Sequence, residues 1–219
     1  MVKTWSQSIR ELSLLLNSIG EALILICPNP SLDTVIAGFA LMESLRRIGR
    51  RASLVTPKKL TGEIAGLRIA EAVLEFIPER QIETIQSFGK NLTSTFQREY
   101  KCNPQAICTL EIENLAHLQE FYQENKTLFQ TLPVINIDYH ENNAYYGRIN
   151  LIDPRGKAIS ELITLMLYDL KLPLTPEVAD LLYQGINTKT ENLSPGYFTP
   201  NLLEAASICL RHRKRTQTS

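Results

Sequence analysis

The sequence predicts a doubly wound α/β domain, with a mainly parallel five-stranded sheet and helices on both faces, and three features predict it. Short, continuously apolar runs such as Ala22-Leu-Ile-Leu-Ile-Cys27 have the length and composition of strands covered on both sides. These runs alternate with longer segments whose apolar residues recur every three or four positions, the period of a helix with one buried face. Prolines and glycines (Gly20, Pro28, Pro30, Gly49) punctuate the boundaries. At 219 residues and 44% hydrophobic, the chain can bury a sizeable core.

The elements follow in order. Ile9, Leu12, Leu15, Leu16 and Ile19 stand at helical spacing ahead of Gly20. The strand 22–27 is stopped by Pro28 and Pro30. Asp33 then stands where an N-cap belongs, before Val35, Ile36, Phe39, Ala40, Met42 and Leu45, with Gly49 where that helix ends. Ala52 to Val55 reads as the next strand, completing a right-handed βαβ crossover. Residues 62–77 carry a helical pattern (Ile64, Leu67, Ile69, Ala72, Val73, Phe76), and 87–102 read as a short strand pair or a long surface loop. Ala106 to Leu110 is a strand, 115–129 a helix, Val134 to Ile137 a strand and 157–170 a helix. Two further helices, from Thr175 to about Ile186 and from Pro200 to about Arg213, complete the pattern.

Composition narrows the classes of partner. Twenty-three basic residues balance 23 acidic ones, so any binding of nucleic acid or anionic lipid needs a local patch. The densest run, Arg211-His-Arg-Lys-Arg215, reads as a solvated helix end or frayed tail, so the expected division is a domain over 1–210 and a basic tail over 211–219. Four cysteines (Cys27, Cys102, Cys108, Cys209) lack paired zinc spacing and the density of a disulfide scaffold, as expected of free thiols in a reducing cytoplasm. No apolar run approaches the ~18–20 residues of a membrane span, so no membrane partner is expected.

Chemistry-bearing residues fall at three strand ends and in one helix. The first group is Cys27-Pro-Asn-Pro-Ser-Leu-Asp33, followed by Val35, Ala40 and Leu41. The second is Glu111, just past the strand 106–110. Asp138-Tyr139-His140 form the third, with Asn143, Gly147 and the continuation Ile149-Asn-Leu-Ile-Asp-Pro154. The fourth is Tyr183-Gln-Gly-Ile-Asn-Thr-Lys-Thr190.

In this order and spacing the four groups resemble the motifs of the DHH phosphoesterases over roughly residues 10–210. That family includes RecJ-like exonucleases, oligoribonucleases, pAp phosphatases and cyclic dinucleotide phosphodiesterases. The resemblance implies a domain that holds two manganese or magnesium ions to activate water on a phosphate ester. It places Cys27 at a histidine ligand, Ser31 and Asp33 at two aspartates, Glu111 at an aspartate that bridges the metals, Tyr139 at the first histidine of the DHH signature and Lys189 at a metal-binding aspartate. Asp138 in the family chiefly orients its neighbours. Members that degrade short nucleic acids continue into a second, substrate-gripping lobe with a glycine-rich motif, and none is expected after Leu210.

A charge count decides what the altered positions imply. The family's four carboxylates become Asp33 and Glu111, a neutral Ser31 and a cationic Lys189, a net of minus one, and both imidazoles are replaced. Two dications about 3.5–4 Å apart repel strongly and need several anionic ligands, so no resident cofactor is expected. Lys189 is expected to pair with Asp33 or Glu111. The function expected is a degenerate, catalytically inactive domain acting as a binding or interaction module. A homodimer mate or another protein would dock on the open side of the cleft.

Two alternatives stand beside it. One is a phosphoesterase using a single Mn or Mg ion held by Asp33, Glu111 and His140 with help from Cys27 or Asp138, acting on small nucleotides or short oligonucleotides. The other is nucleotide binding without turnover, with phosphate met by Lys189, His140, Asn143 and Arg148.

Overall fold

Strand β1 (Glu21–Ile26) shows why the chain folds as it does: all six residues are buried, and they divide by parity between two cores. Ile24 and Ile26 belong to one apolar cluster and Leu23 and Leu25 to the other, as the two-residue period of a strand dictates. The computed structural model describes residues 3–58, 60, 73–75 and 103–213. Around β1 are β2 (Arg51–Thr56), β3 (Val73–Glu75), β4 (Ala106–Leu110), β5 (Val134–Asp138) and β6 (Ile149–Ile152). The order is β3-β2-β1-β4-β5-β6, every neighbouring pair parallel. The doubly wound parallel α/β fold is therefore as expected.

The larger core lies under α1 (Trp5–Ser18), α2 (Leu32–Arg47), α5 (Ile159–Asp169), α6 (Pro176–Lys189) and α7 (Pro200–His212), which contribute most of its buried Leu, Ile, Met and Ala. On the other face, β1, β2, β4 and β5 are covered by a 3₁₀ turn at Leu115–Leu118 and two short helices, α3 (Glu120–Glu124) and α4 (Lys126–Thr131), through Leu118 and Phe121. None of the described helices is long and apolar enough to cross a membrane.

Caps explain most of the boundaries. Thr4, Thr175 and Thr199 each accept from a backbone N–H in the first turn of α1, α6 and α7, and proline stands in the first turn of the last two. Helix α2 ends with Arg46 and Arg47 near its carbonyl end and Gly49 at φ +75°, a conformation that suits glycine.

The structure corrects the sequence reading at several elements. The N-cap of α2 is Ser31, whose Oγ accepts from the Thr34 N–H, and Asp33 lies inside the first turn with its carboxylate directed elsewhere. The helical pattern assigned through residue 77 gives way at 73–75 to an edge strand beside β2. That strand and β6, neither assigned from sequence, belong to a six-stranded sheet where five strands were expected, and the rest of 62–77, like 87–102, lies outside the described residues. The helix expected over 115–129 is broken at Gln119 (φ +50°) and at Asn125, whose side-chain amide donates to the Phe121 carbonyl at 2.9 Å. Arg213 of the basic run pairs with Asp180 at 2.6 Å and lies over the Tyr183 ring at 4.7 Å.

Candidate functional site

The strand order reverses direction between β1 and β4, and at their C-terminal ends the chain assembles a cluster of polar side chains, as open α/β sheets do. Glu111, the first residue past β4, is its hub. It has φ +57° and donates its N–H to the Ile137 carbonyl at 3.1 Å. A non-glycine residue in that region costs of order 1 kcal/mol or more. The conformation swings the carboxylate across the strand ends, where four side chains meet it. Oε1 accepts from the Tyr139 hydroxyl at 2.6 Å and lies 3.5 Å from Lys189 Nζ. Oε2 accepts from the Thr34 hydroxyl and, at 3.8 Å, from the Cys27 thiol.

Two of the four, Cys27 and Tyr139, are held in neutral form. Burial, reinforced by the Glu111 carboxylate, pushes the Cys27 thiol up to about 12 and raises the Tyr139 phenol well above its ordinary range. Neither offers an anionic ligand near neutral pH. Lys189, at the C-terminal end of α6, also stands 5.7 Å from the centre of the Tyr139 ring, which stacks on His140 at 4.8 Å. Of the two pairings expected for Lys189, the one with Glu111 is formed.

Asp33 does something else. It is fully buried, Oδ2 accepting from the Ile159 N–H at 2.7 Å and Oδ1 from the Ser160 N–H at 3.0 Å. Helix α5 has Ala158 at its N-cap and no cap from its own chain segment, so Asp33 supplies from α2 the acceptor that α5 lacks. Burial outweighs these hydrogen bonds and pushes its carboxyl up to about 6. Gly185 of α6 closes the joint: a methyl there would overlap Ser160 Oγ and stand 2.9 Å from Asp33 Oδ1.

Asp138 and His140 are likewise structural partners. Asp138 Oδ1 accepts from the Tyr139 N–H (2.8 Å), the His140 N–H (3.3 Å) and His140 Nδ1 (2.6 Å), while Oδ2 accepts from Asn143 Nδ2 (2.6 Å). This fixes His140 as the Nδ1–H tautomer or the imidazolium and leaves Nε2 3.6 Å from Glu113. Asn143 is buried, its Oδ1 accepting from Asn136 Nδ2 and the Tyr145 N–H, both at 2.8 Å. Arg148 is exposed and makes no side-chain contact in the cluster. The structure thus brings Cys27, Glu111 and Lys189 together, keeps Asp138 with His140 and Asn143 beside them, and sets Asp33 apart as a helix cap.

A second buried carboxyl, Glu161 in the first turn of α5, accepts from the Lys157 N–H at 2.8 Å through Oε2, and its Oε1 has no hydrogen-bond partner. Burial, with nearby Asp153, pushes it up to about 7. Asp33 and Glu161 therefore retain protons in the folded chain at a pH where the unfolded chain has released them. The stabilisation is complete near pH 4 and is lost as pH rises through about 6 and 7. The thermal midpoint is expected to fall by about 3 °C or more between pH 5 and pH 8, and Glu161→Gln to flatten that slope, both readable by calorimetry.

Residues that sequence reasoning missed include Thr34 and Ser160, whose roles depend on partners distant in the chain, while Gly185 was noted in the fourth group without its packing role against Ser160 and Asp33. Lys58 and His117 were also missed. They line a pocket of about 250 Å³ beside Glu111, and the rule that ligands sit at strand ends would have pointed to Lys58, two residues past β2.

No protein-family model matches the chain. It is 32% identical over 77 residues to the bifunctional oligoribonuclease and PAP phosphatase NrnA of Thermus thermophilus, a match covering 35% of this chain and 24% of that protein. Among solved structures it resembles an exopolyphosphatase-related protein from Bacteroides fragilis, with a TM-score of 0.70 at 15% identity, covering 94% of this chain and 56% of the other. It also resembles a candidate family II inorganic pyrophosphatase from Methanococcus jannaschii, with a TM-score of 0.54 at 15% identity and 90% and 57% coverage. The chain thus spans little more than half the length of these structures and about a quarter of the curated relative. The fold is that of a DHH-phosphoesterase-like domain.

The manganese or magnesium pair that this fold implies does not fit the residues present. Among the described residues no group of three or more His, Cys, Asp and Glu side chains is placed to hold a metal ion. Asp33 spends both oxygens on α5, Glu111 is met by four protein groups, and an ammonium stands 3.5 Å from it where a dication's ligand is expected.

Proposed function

We propose that this DHH-phosphoesterase-like domain has exchanged an ion-binding centre for an internally neutralised one and acts as a binding or interaction module without phosphoesterase activity. One observation carries the reading: Lys189 Nζ and the Tyr139 hydroxyl both address Glu111 Oε1, at 3.5 and 2.6 Å. An ammonium and a neutral phenol supply the positive charge and the donor that a bridging carboxylate would otherwise receive from metal. Bringing a dication there costs the Lys189 pairing and places two cations within a few ångströms, a repulsion of several kcal/mol at the effective dielectric of a partly buried site. The relatives' substrates, oligoribonucleotides and PAP for NrnA, make phosphate esters the natural test compounds. A cytoplasmic location and a protein or second-copy partner belong to the same reading.

The competing reading, one ion held by Asp33, Glu111 and His140, requires carboxylate oxygens that α5 holds at Asp33 and that Lys189 and Tyr139 hold at Glu111, which leaves His140 Nε2 as the one uncommitted ligand atom of the three residues. Incubating the chain with pAp, a dinucleotide and bis-p-nitrophenyl phosphate in Mn²⁺ separates the two. Release at the no-protein rate is the expected result. Manganese-dependent release that disappears in Glu111→Gln defeats the proposal.

A further inference from the structure

We infer that the outer face of α7 is a self-complementary surface on which a second copy of this chain docks antiparallel, which rests on the interaction half of the reading above and names its partner. Helix α7 packs chiefly on α5 and α6, and its inner face (Leu202, Ala205, Ala206, Ile208 and Cys209) is buried there. Its outer face presents Leu203, Glu204, Ser207, Leu210 and Arg211, all exposed, the two leucines at 45% and 52%. Of the seven large apolar side chains exposed among the described residues, three (Phe198, Leu203 and Leu210) fall in this one stretch. Exposed apolar residues gathered in one place, unlike single scattered ones, mark an interaction surface.

The pattern on that face selects the partner. Residues seven apart lie nearly in line along a helix, about 10 Å from each other, so Leu203 and Leu210 form one row and Glu204 and Arg211 a second row beside it. Ser207, a small residue, sits between the rows at the middle of the face. A two-fold axis beside Ser207 and perpendicular to α7 lays each row antiparallel on its own copy. Leu203 then meets Leu210 of the second copy and Glu204 meets Arg211, each contact occurring twice. Ser207 at the crossing allows the axes to approach to about 8–10 Å. Glu204 makes no hydrogen bond or ion pair among the described residues, and Arg211 spends one N–H on Ser207 Oγ at 3.1 Å, so both have capacity left. A parallel pair sets Glu204 against Glu204, and an anionic lipid surface meets the same carboxylate, so the charges favour the antiparallel copy. Thirteen residues span about 20 Å and cover less than a standard interface, so the dimer is of the weak, reversible kind.

Sedimentation equilibrium of the whole chain from about 5 to 500 µM tests the assignment, and a monomer–dimer equilibrium with a Kd of about 100 µM or tighter is expected. Leu210→Glu changes an exposed position and is expected to keep the thermal midpoint while weakening association about tenfold or more. Glu204→Arg is expected to do the same by setting two cations against each other. Combining Glu204→Arg with Arg211→Glu inverts both pairs and is expected to restore the parent Kd to within about threefold. A chain that stays monomeric throughout overturns this inference and leaves the proposed lack of phosphoesterase activity standing, since that is read from ester release. Manganese-dependent release with the dimer intact does the reverse. A dimer indifferent to Leu210→Glu, or one that the double exchange does not recover, overturns the inference, as does a monomer that instead sediments with phosphatidylglycerol vesicles.

Discussion

Asp33→Ala is expected to lower the unfolding free energy by about 3 kcal/mol or more, roughly a fifth to more than half of the stability of an ordinary domain. The side chain is completely buried and is the acceptor for two backbone N–H groups at the start of α5, at 2.7 and 3.0 Å. Truncation strands both donors out of reach of water, at about 1–3 kcal/mol each, and removes the cap of a helix that has no side-chain cap of its own. A metal ligand behaves oppositely, since clustered carboxylates repel and removing one commonly leaves stability unchanged or raised. Urea denaturation therefore distinguishes the two roles. A midpoint in Asp33→Ala at or above that of the parent protein contradicts the cap assignment, and Asp33→Asn, which keeps one acceptor, is expected to fall between.

The second large effect concerns the same joint from its other side. Gly185→Ala puts a methyl group into Ser160 Oγ and within 2.9 Å of Asp33 Oδ1, so α6 must move off α2 and α5 or Ser160 must turn away. In an unpacked helix the change is worth about 1 kcal/mol of stabilisation. Here overpacking of about 1–3 kcal/mol opposes it, with disturbance of the Asp33 hydrogen bonds in addition. The net sign decides: a lower denaturation midpoint is expected, and a raised one means that the helices do not approach this closely.

Much of the fold is legible in the sequence because its signals are local. The run 22–27, the apolar period of α2 and the prolines and threonines at helix starts each declare an element within a few residues. What fails locally is also instructive. Val73–Glu75 sits inside a helix-period pattern and becomes a strand because β2 offers it an edge to pair with. β6 (Ile149–Ile152), which the sequence reading did not assign as a strand, has the alternating burial of one but is only four residues long. The break at Asn125 comes from a side-chain bond to Phe121 that competes with the helix.

The site divides along the same line. Cys27, Glu111, Asp138, His140 and Lys189 are found at strand ends and on α6 where motif spacing places them, but their roles depend on neighbours that spacing does not give. Asp33 reads as a cap of its own helix or as a ligand because its partners lie 126 and 127 residues away. Lys58 and His117 carry no motif and become visible only when β2 and the turn after β4 are brought to one pocket.

Loading the purified chain with excess Mn²⁺, desalting it and counting the metal by elemental analysis tests the central claim most directly. With Glu111 neutralised by Lys189 and Tyr139, well under one manganese per chain is expected to remain. One or two retained ions per chain, lost in Glu111→Gln, contradict the account.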